Sequence, residues 1–493
     1  MTEAGDERRR GAGPPEVLAA RRHKLESLRA RGVEPFPHGY AGAEPIASVR
    51  EAHAGLGVGE ETIVAHRVAG RITARRGQGA MAFLDLVDRS GRIQLQARID
   101  ELGTDGLDLL TGLDLGDLIG VEGFAISSRR GELTLRLTAF TLLAKSLRPP
   151  PDKHHGLADT ETRLRHREAD LLANEETRAV FIMRARMVSA IRSYLDSEGF
   201  IEVETPILQP LYGGAMARPF TTHHNALDRE FYLRIAPELY LKRLLVGGLE
   251  RVYEIGRLFR NEGISTKHNP EFTSIEYYEA YADYINVADR FEELMRFVTA
   301  AIGYRGPIDF QRPWHRETLT GAIERRTGVD IRRCHDRGRL AGAMRAAGLD
   351  VPESDTWPQL VDQLVSKHVE PTLVEPTFLF DYPVETSPLA KRHRSEPGLV
   401  ERFEAFIAGM EVANAFTELN DPDEQRARFE VQRALADGGD EEAQPYDAAY
   451  IEALEYGMPP AGGIGFGIDR MAMILTGRTT IREVVLFPAM RDT

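Results

Sequence analysis

The chain has one cysteine, Cys334, and two tryptophans among its 493 residues. A single thiol excludes a disulfide framework and any zinc site built from cysteines, and it fits a reducing compartment. No apolar run reaches the roughly 18 residues of a membrane-spanning helix, and the N-terminal MTEAGDERRR lacks the apolar core of a secretory signal. A soluble, cytoplasmic protein with no membrane partner is expected. An excess of positive charge is also missing, since the net charge is −14. That shortage is uneven: residues 1–148 carry 21 Lys+Arg against 20 Asp+Glu, so residues 149–493 carry the whole acidic excess. The first 31 residues hold eight basic side chains to five acidic ones.

What is present suits two or three domains with a substantial core. EVLAARRHKLESLRARG has a helical pattern, with Val17, Leu18, Leu25 and Leu28 apolar and Arg21, Arg22, Lys24, Arg29 and Arg31 basic, and such a helix can lie along a phosphate backbone or simply be solvated. We read residues 1–61 as this basic helical extension. Between 62 and 147 come five short alternating runs, TIVAHRVAGRIT, MAFLDLVD, GRIQLQARI, LIGVEGFAI and LTLRLTAFTLLA, separated by glycine-containing turns. Their spacing predicts a five-stranded OB-fold barrel, whose surface aromatic and polar residues stack on and pair with unpaired bases. Phe83 is the stacking candidate there, and Gln94 and Glu132 are candidates for base edges. LRPPPDKHHGLADTETRLRHREADL opens with three prolines, ends in a charged stretch expected to be helical, and reads as a linker, within a hinge over 148–176. The largest domain, 177–493, begins with the amphipathic FIMRARMVSAIRSYLDSEGF, and a further helical segment is expected between about Arg316 and His368.

Two segments of that domain carry chemistry. FRNEGISTKHNPEFTSIEYY, Phe259 to Tyr278, reads as a strand-loop-strand in which Arg260 and Glu262 share one face and Phe272, Ser274, Glu276 and Tyr278 share another. A guanidinium and an aromatic plane brought together suit a nucleoside triphosphate. GGIGFGIDRMAMILTG, Gly462 to Gly477, alternates glycine with apolar residues and turns helical after Asp469, which sets Arg470 at the end of a strand.

FRNEG…HNPEF and GIGFGIDR resemble the second and third signature motifs of the class II aminoacyl-tRNA synthetases, and GFIEVETPILQP is similar to the first. GGAMARPFTTHHNALDREFYLRIAPELYLKRLLVGG and EVANAFTELNDPDEQ resemble the lysine-specific branch, and the likeness runs from about residue 62 to the C-terminus. The resemblance implies an α+β protein: the OB-fold barrel as anticodon-binding domain, with Phe83, Gln94 and Glu132 facing the anticodon, and a catalytic antiparallel sheet flanked by helices. It implies ATP-dependent activation of L-lysine and transfer to tRNA(Lys), by a homodimer formed through the first motif.

The implied ATP contacts are Arg260, Glu262, His268, Asn269, Phe272, Glu404, Glu411 and Arg470, with Arg260 and Arg470 catalytic. In the implied lysine pocket, Gly214 and Glu238 hold the α-amino group, Arg260 the carboxylate, and Glu276 supports them. Strand parity puts Asn414, Phe416 and Glu418 on one face, so the aliphatic stem packs on Phe416 and the ammonium meets Glu418 and Tyr278. An aspartate- or asparagine-specific relative would want a cation or amide donor where Glu418 stands, and the sequence has none there. Glu404 and Glu411 are the implied Mg²⁺ ligands. A two-residue turn at Ala408-Gly409 sets residue 404 opposite 413, and simple alternation then leaves Glu411 out of phase with Asn414, so a bulge or a different register is required.

The chain departs from the family pattern at Ala80, where a lysine is usual, and over Arg163–Glu168. Two other readings therefore stand beside tRNA charging: a paralogue that hands activated lysine to a protein or small molecule, and a non-catalytic RNA-binding regulator.

Overall fold

A computed structural model describes residues 15–77, 79–151, 157–352, 356–437 and 443–491. Residues 1–14 of the expected basic extension, Gln78 of the first barrel turn and residues 152–156 of the expected linker lie outside the described residues. The chain divides into two compact units, residues 1–175 and 176–493. Among the described residues, no helix is long and apolar enough to cross a membrane.

The first unit opens with helices α1 (Pro15–Ala30) and α2 (Ile46–Ala52). Strands β1 (Glu61–Arg76), β2 (Met81–Val87) and β3 (Arg92–Arg98), helix α3 (Ile99–Gly112), and strands β4 (Leu118–Ser127) and β5 (Leu133–Ala144) follow. The strands close into a barrel of order β1-β2-β3-β5-β4. The five alternating runs become these strands because one residue in two is apolar: Ala82, Leu84 and Leu86 on β2 and Ile93, Leu95 and Ala97 on β3 are all buried inside. Helix α3 was not legible, because Gly103 and Gly106 interrupt its pattern; Gly103 sits at φ 70° and kinks it, while Leu107 and Leu110 still reach the core.

The basic face of α1 is less free than its sequence suggests. Arg21 is buried and donates to the carbonyls of Leu115 and Ser146, both at 3.0 Å, and Lys24 pairs with Asp114 at 2.5 Å. These two cations tie the helix to the barrel. The second half of the expected linker is helical, as its charged pattern predicts. It forms helices α4 (Thr160–Arg165) and α5 (Arg167–Ala173), in which Asp170, fully buried, accepts from Arg163 at 2.9 Å and Arg167 at 2.7 Å.

The second unit starts with α6 (Glu175–Ser197) and short strands β6 (Ile201–Glu202), β7 (Leu208–Gln209), β8 (Thr221–His224) and β9 (Arg229–Leu233), then α7 (Glu238–Val246). Next come β10 (Arg251–Phe259), β11 (Glu271–Ala280), α8 (Tyr284–Ala301) and β12 (His315–Thr318). The segment expected to be helical from Arg316 thus begins as a strand and then supplies α9 (Leu319–Thr327), α10 (Arg337–Ala346) and α11 (Trp357–Leu364). Strands β13 (Thr377–Pro383), β14 (Leu399–Ile407) and β15 (Met410–Thr417) follow, then α12 (Pro422–Asp437) and α13 (Ala448–Glu455). The chain closes with β16 (Ala461–Gly467), α14 (Ile468–Thr476) and α15 (Ile481–Val484).

Eight of these strands form one sheet of order β12-β13-β14-β15-β16-β11-β10-β6, antiparallel except at its two edges. One face is packed by α6, α8 and α14 through Ile275, Tyr277, Phe403, Ala415, Ile464 and Phe466. Their alternate neighbours turn to the opposite face, which is hollow and polar.

Candidate active site

Register across the sheet builds the site. Glu404 pairs with Asn414, Asn414 with Gly465 and Gly465 with Glu276, forming one rank. Arg402, Phe416, Gly463 and Tyr278 form the next. Glycine occupies β16 in both ranks, and the reason is space. A Cβ on Gly463 would lie 2.2 Å from Glu418 Oε1 and 2.4 Å from the Tyr278 ring, so only a bare backbone lets those side chains converge. Gly463→Ala is accordingly expected to destabilise the protein by about 1–3 kcal/mol through overpacking, seen as a lowered melting temperature; an unchanged melting temperature would reject this packing account.

The cavity over these ranks has a volume of about 430 Å³. It is lined by every ATP and lysine candidate named from the sequence, from Gly214 and Glu238 to Glu418 and Arg470. Their backbone settings differ from expectation in places. Strand β10 ends at Phe259, so Arg260 and Glu262 belong to the loop rather than to a strand face, and Glu262 is exposed. Arg260 still turns into the cavity. Its guanidinium carbon is 5.2 Å from the Phe272 ring centroid, its Nε is buried without a hydrogen-bond partner among the described residues, and burial lowers its pKa. His268 accepts from Arg470 at Nε2 (3.1 Å) and contacts Ser265 Oγ through Nδ1 (2.8 Å), and burial together with Arg470 lowers its pKa. Asn269 is buried, donating to the Glu271 carbonyl at 2.6 Å while its own Oδ1 has no partner.

The turn at Ala408-Gly409 forms as expected, both residues having positive φ (56° and 68°). The expected facing of 404 and 413 does not. Ile407 pairs with Met410 and Phe406 with Glu411, but Ala405 then pairs with Ala413, which leaves Val412 as a bulge and sets Glu404 opposite Asn414. The bulge reverses the parity of Glu411 and turns it into the cavity with Asn414 and Phe416.

Glu404 accepts from Arg402 at 2.6 Å and from the Tyr382 hydroxyl at 2.8 Å; Glu411 receives Arg470 at 3.2 Å. No group of three or more His, Cys, Asp or Glu suited to a metal occurs among the described residues. Two hard carboxylates beside free cavity space nevertheless fit Mg²⁺, which takes one or two protein carboxylates and completes its shell with phosphates and water.

At the other end, Tyr278 donates to Glu276 at 2.9 Å, and Glu418 is fully buried. Sequence reasoning passed over Lys242, whose ammonium lies against Glu418 Oε2 and donates to Glu238 Oε1 at 2.5 Å. The contact with Glu418 is an ion pair without hydrogen-bond geometry, so both Glu418 oxygens still lack a hydrogen bond. Lys242 had a sequence signal in its i,i+4 spacing from Glu238 on one helix. Arg402 had one too, two residues before Glu404 on a strand; it also donates to Asn414 at 3.0 Å and so joins the carboxylate rank to the amide.

On the barrel, the three surface candidates share one face. Phe83 pairs with Gln96, Asp85 with Gln94, and Gln94 with Thr134, whose hydroxyl donates to Gln94 at 3.0 Å. Gln94 is largely buried by this contact, while Glu132 is partly open and pairs with Arg92 at 3.4 Å. Arg92 also pairs with Asp85 at 3.1 Å, a polar group on this face that sequence reasoning passed over.

Residues 159–491 match the family model for tRNA synthetases class II (D, K and N), and residues 66–143 match the OB-fold nucleic acid binding domain. The chain is 51% identical to a lysine–tRNA ligase of Carboxydothermus hydrogenoformans, over 97% of its own length and 98% of that protein. A lysine–tRNA ligase of Moorella thermoacetica is 49% identical over the same shares, and one of Prochlorococcus marinus is 48% identical over 97% of each chain. With a synthetase match across its large sheet and near-full-length relatives of about half its residues, the chain belongs to the class II tRNA synthetases of the D, K and N group.

Proposed function

We propose that this chain activates L-lysine with ATP and transfers it to the 3′ end of tRNA(Lys), the activity of a lysine–tRNA ligase. The observation that carries this reading is the polarity of one cavity: cations and paired carboxylates, Arg260, Arg470, Glu404 and Glu411, at one side, and the Phe416, Tyr278 and Glu418 group at the other. Relatives of that name spanning 97% of the chain support it, and handover to a protein or small molecule is not favoured. A purely RNA-binding role would give the cavity's acids and cations no work. The decisive experiment is lysine-dependent ATP–pyrophosphate exchange followed by transfer of labelled lysine to tRNA(Lys). Exchange without transfer would favour the paralogue, and neither activity would reject the enzyme.

In the proposed reaction a lysine carboxylate oxygen attacks the α-phosphorus in line, the bond to the bridging oxygen breaks, and pyrophosphate leaves with that electron pair. A ribose hydroxyl at the tRNA 3′ end then attacks the acyl carbon and releases AMP. The substrate is its own nucleophile, so the protein's part in the first step is positioning and charge neutralisation. Arg260 neutralises the carboxylate and α-phosphate, Phe272 stacks adenine, and Arg470 faces the outer phosphates. Glu262, His268 and Asn269 fix the adenine edge and phosphates. Glu404 and Glu411 would hold Mg²⁺, which supplies charge neutralisation at the phosphate oxygens. Exposed apolar Ile201, Ile207 and Leu208 support a homodimer through the first motif. A cytoplasmic location goes with this reading, as does contact of Phe83, Gln94 and Glu132 with the anticodon.

The acids of the lysine pocket make binding pH-dependent. The Glu276 carboxyl is pushed up to about 8 by burial and the Glu238 charge, against the opposing pull of Tyr278, Arg260 and Lys242. Near neutral pH it is mainly protonated. An arriving α-ammonium favours its ionised form, so binding releases a proton at pH values below that pKa. The lysine KM is therefore expected to fall by up to about tenfold per pH unit as the pKa is approached from below, and to level off above it. Measuring KM across that range tests this, with Glu276→Gln expected to flatten the profile.

A further inference from the structure

Lys242 is a charged group that the reaction above leaves without a role. It lies on α7 one turn beyond Glu238, with its side chain wholly buried. Its ammonium touches Glu238 and Glu418 and lies 5.1 Å from the Phe416 ring centroid. Burial alone would favour loss of its proton, but the two carboxylates outweigh that and raise its pKa, so it is a permanent cation.

We infer that Lys242 is a positioning residue for amino-acid selection: by lying against one oxygen of Glu238 and one of Glu418 it fixes the two carboxyl groups relative to one another, and this placing sets the length of the diamino acid accepted. The inference rests on the proposed reading of Glu238 and Glu418 as acceptors for the two amines of lysine, and deepens it. The physical reason is that burial drives both carboxyls upward in pKa, and each also feels the other acids of the pocket. Two such acids stay charged together only with a cation between them. Arg402, the other cation acting on Glu238, is occupied by Glu404, Asn414 and Ser387. The remaining neighbours, Glu276, Tyr278 and Tyr450, are acids or hydroxyls, and the Tyr450 hydroxyl is buried without a hydrogen-bond partner.

The charge count agrees with this role. Glu238 and Glu418 face Lys242, and Glu276, protonated in the empty pocket near neutral pH, loses its proton as lysine binds, so the two substrate ammonium groups meet the negative charge that Lys242 leaves unbalanced, while Arg260 meets the substrate carboxylate. Each clamped acid has a second oxygen. A diamino acid one methylene shorter than lysine, ornithine, is expected to bridge the two less well while Lys242 fixes them.

The test is ATP–pyrophosphate exchange with lysine and with ornithine, comparing the wild type with Lys242→Met. The expected result is a lysine KM raised by about a hundredfold, an ATP KM within about twofold of wild type, and a preference for lysine over ornithine reduced at least about tenfold. A packing role alone would lower use of both amino acids equally and leave their ratio intact, which would overturn the inference, as would an unchanged lysine KM. ATP-induced elevation of the melting temperature verifies that the variant is folded. If Lys242→Met does not fold, Lys242→Ala with added propylammonium carries the test: recovery of lysine-dependent exchange with the amine, but not with propanol, is expected, and no recovery overturns the proposal. Failure of the wild type to exchange with lysine would instead reject the functional reading itself.

Discussion

Arg260→Lys is expected to lower lysine-dependent ATP–pyrophosphate exchange by about a thousandfold or more, although it conserves charge. The Arg260 side chain lines the cavity, its buried Nε has no hydrogen-bond partner among the described residues, and its guanidinium stands beside the Phe272 ring. A buried donor left unsatisfied costs about 1–3 kcal/mol, and a substrate oxyanion recovers it. The planar fork can bind the lysine carboxylate and an α-phosphate oxygen together, aligning attack. A lysine ammonium at the same place is a point charge that fixes neither oxygen's orientation, so the reacting atoms lose their alignment. Exchange at a rate near that of wild type would reject Arg260 as the group that positions the reactants.

Glu418→Gln is expected to raise the lysine KM by about a hundredfold to a thousandfold with little change in the ATP KM, because truncating a buried charged hydrogen-bonding pair costs about 2–5 kcal/mol. Glu418 is fully buried, is approached by the backbone of Gly463, and faces the same cavity as the Tyr278 and Phe416 rings. Its Oε2 lies against the Lys242 ammonium, while Oε1 has no hydrogen-bond partner among the described residues and is free to accept when lysine arrives. The amide keeps the shape but loses the charge and offers an N–H toward an ammonium. It also leaves Lys242 with Glu238 alone. Equal loss of lysine and ATP binding would mean general damage to the fold and would remove Glu418 from the specificity site; parallel measurement of both KM values distinguishes the two results.

Much of this arrangement was legible from local pattern. The five barrel strands follow from apolar alternation, and Glu276 with Tyr278 share a face because they are two apart on β11. The same rule gives Asn414 and Phe416 on β15 and the glycines of β16. The turn at Ala408-Gly409 and the helix begun after Gly467 are equally local. Residues whose role depends on a loop were named correctly as lining the cavity but set in the wrong backbone, as Arg260 and Glu262 demonstrate.

Sequence by itself thus determined which side chains alternate, where the strands and signature segments lie, and which family they form. Tertiary structure alone decided what meets what. The bulge at Val412 arises from the pairing of β14 with β15, and it turns Glu411 toward the cavity. Gly463 matters because β16 lies between β15 and β11, a neighbour relation no single strand encodes. Lys242 reaches Glu418 only because α7 packs beneath a strand end far along the chain. Parity is a property of one strand, fixed by its backbone geometry; register and helix docking are settled by the whole core, where burying one face of the sheet selects a single set of partners.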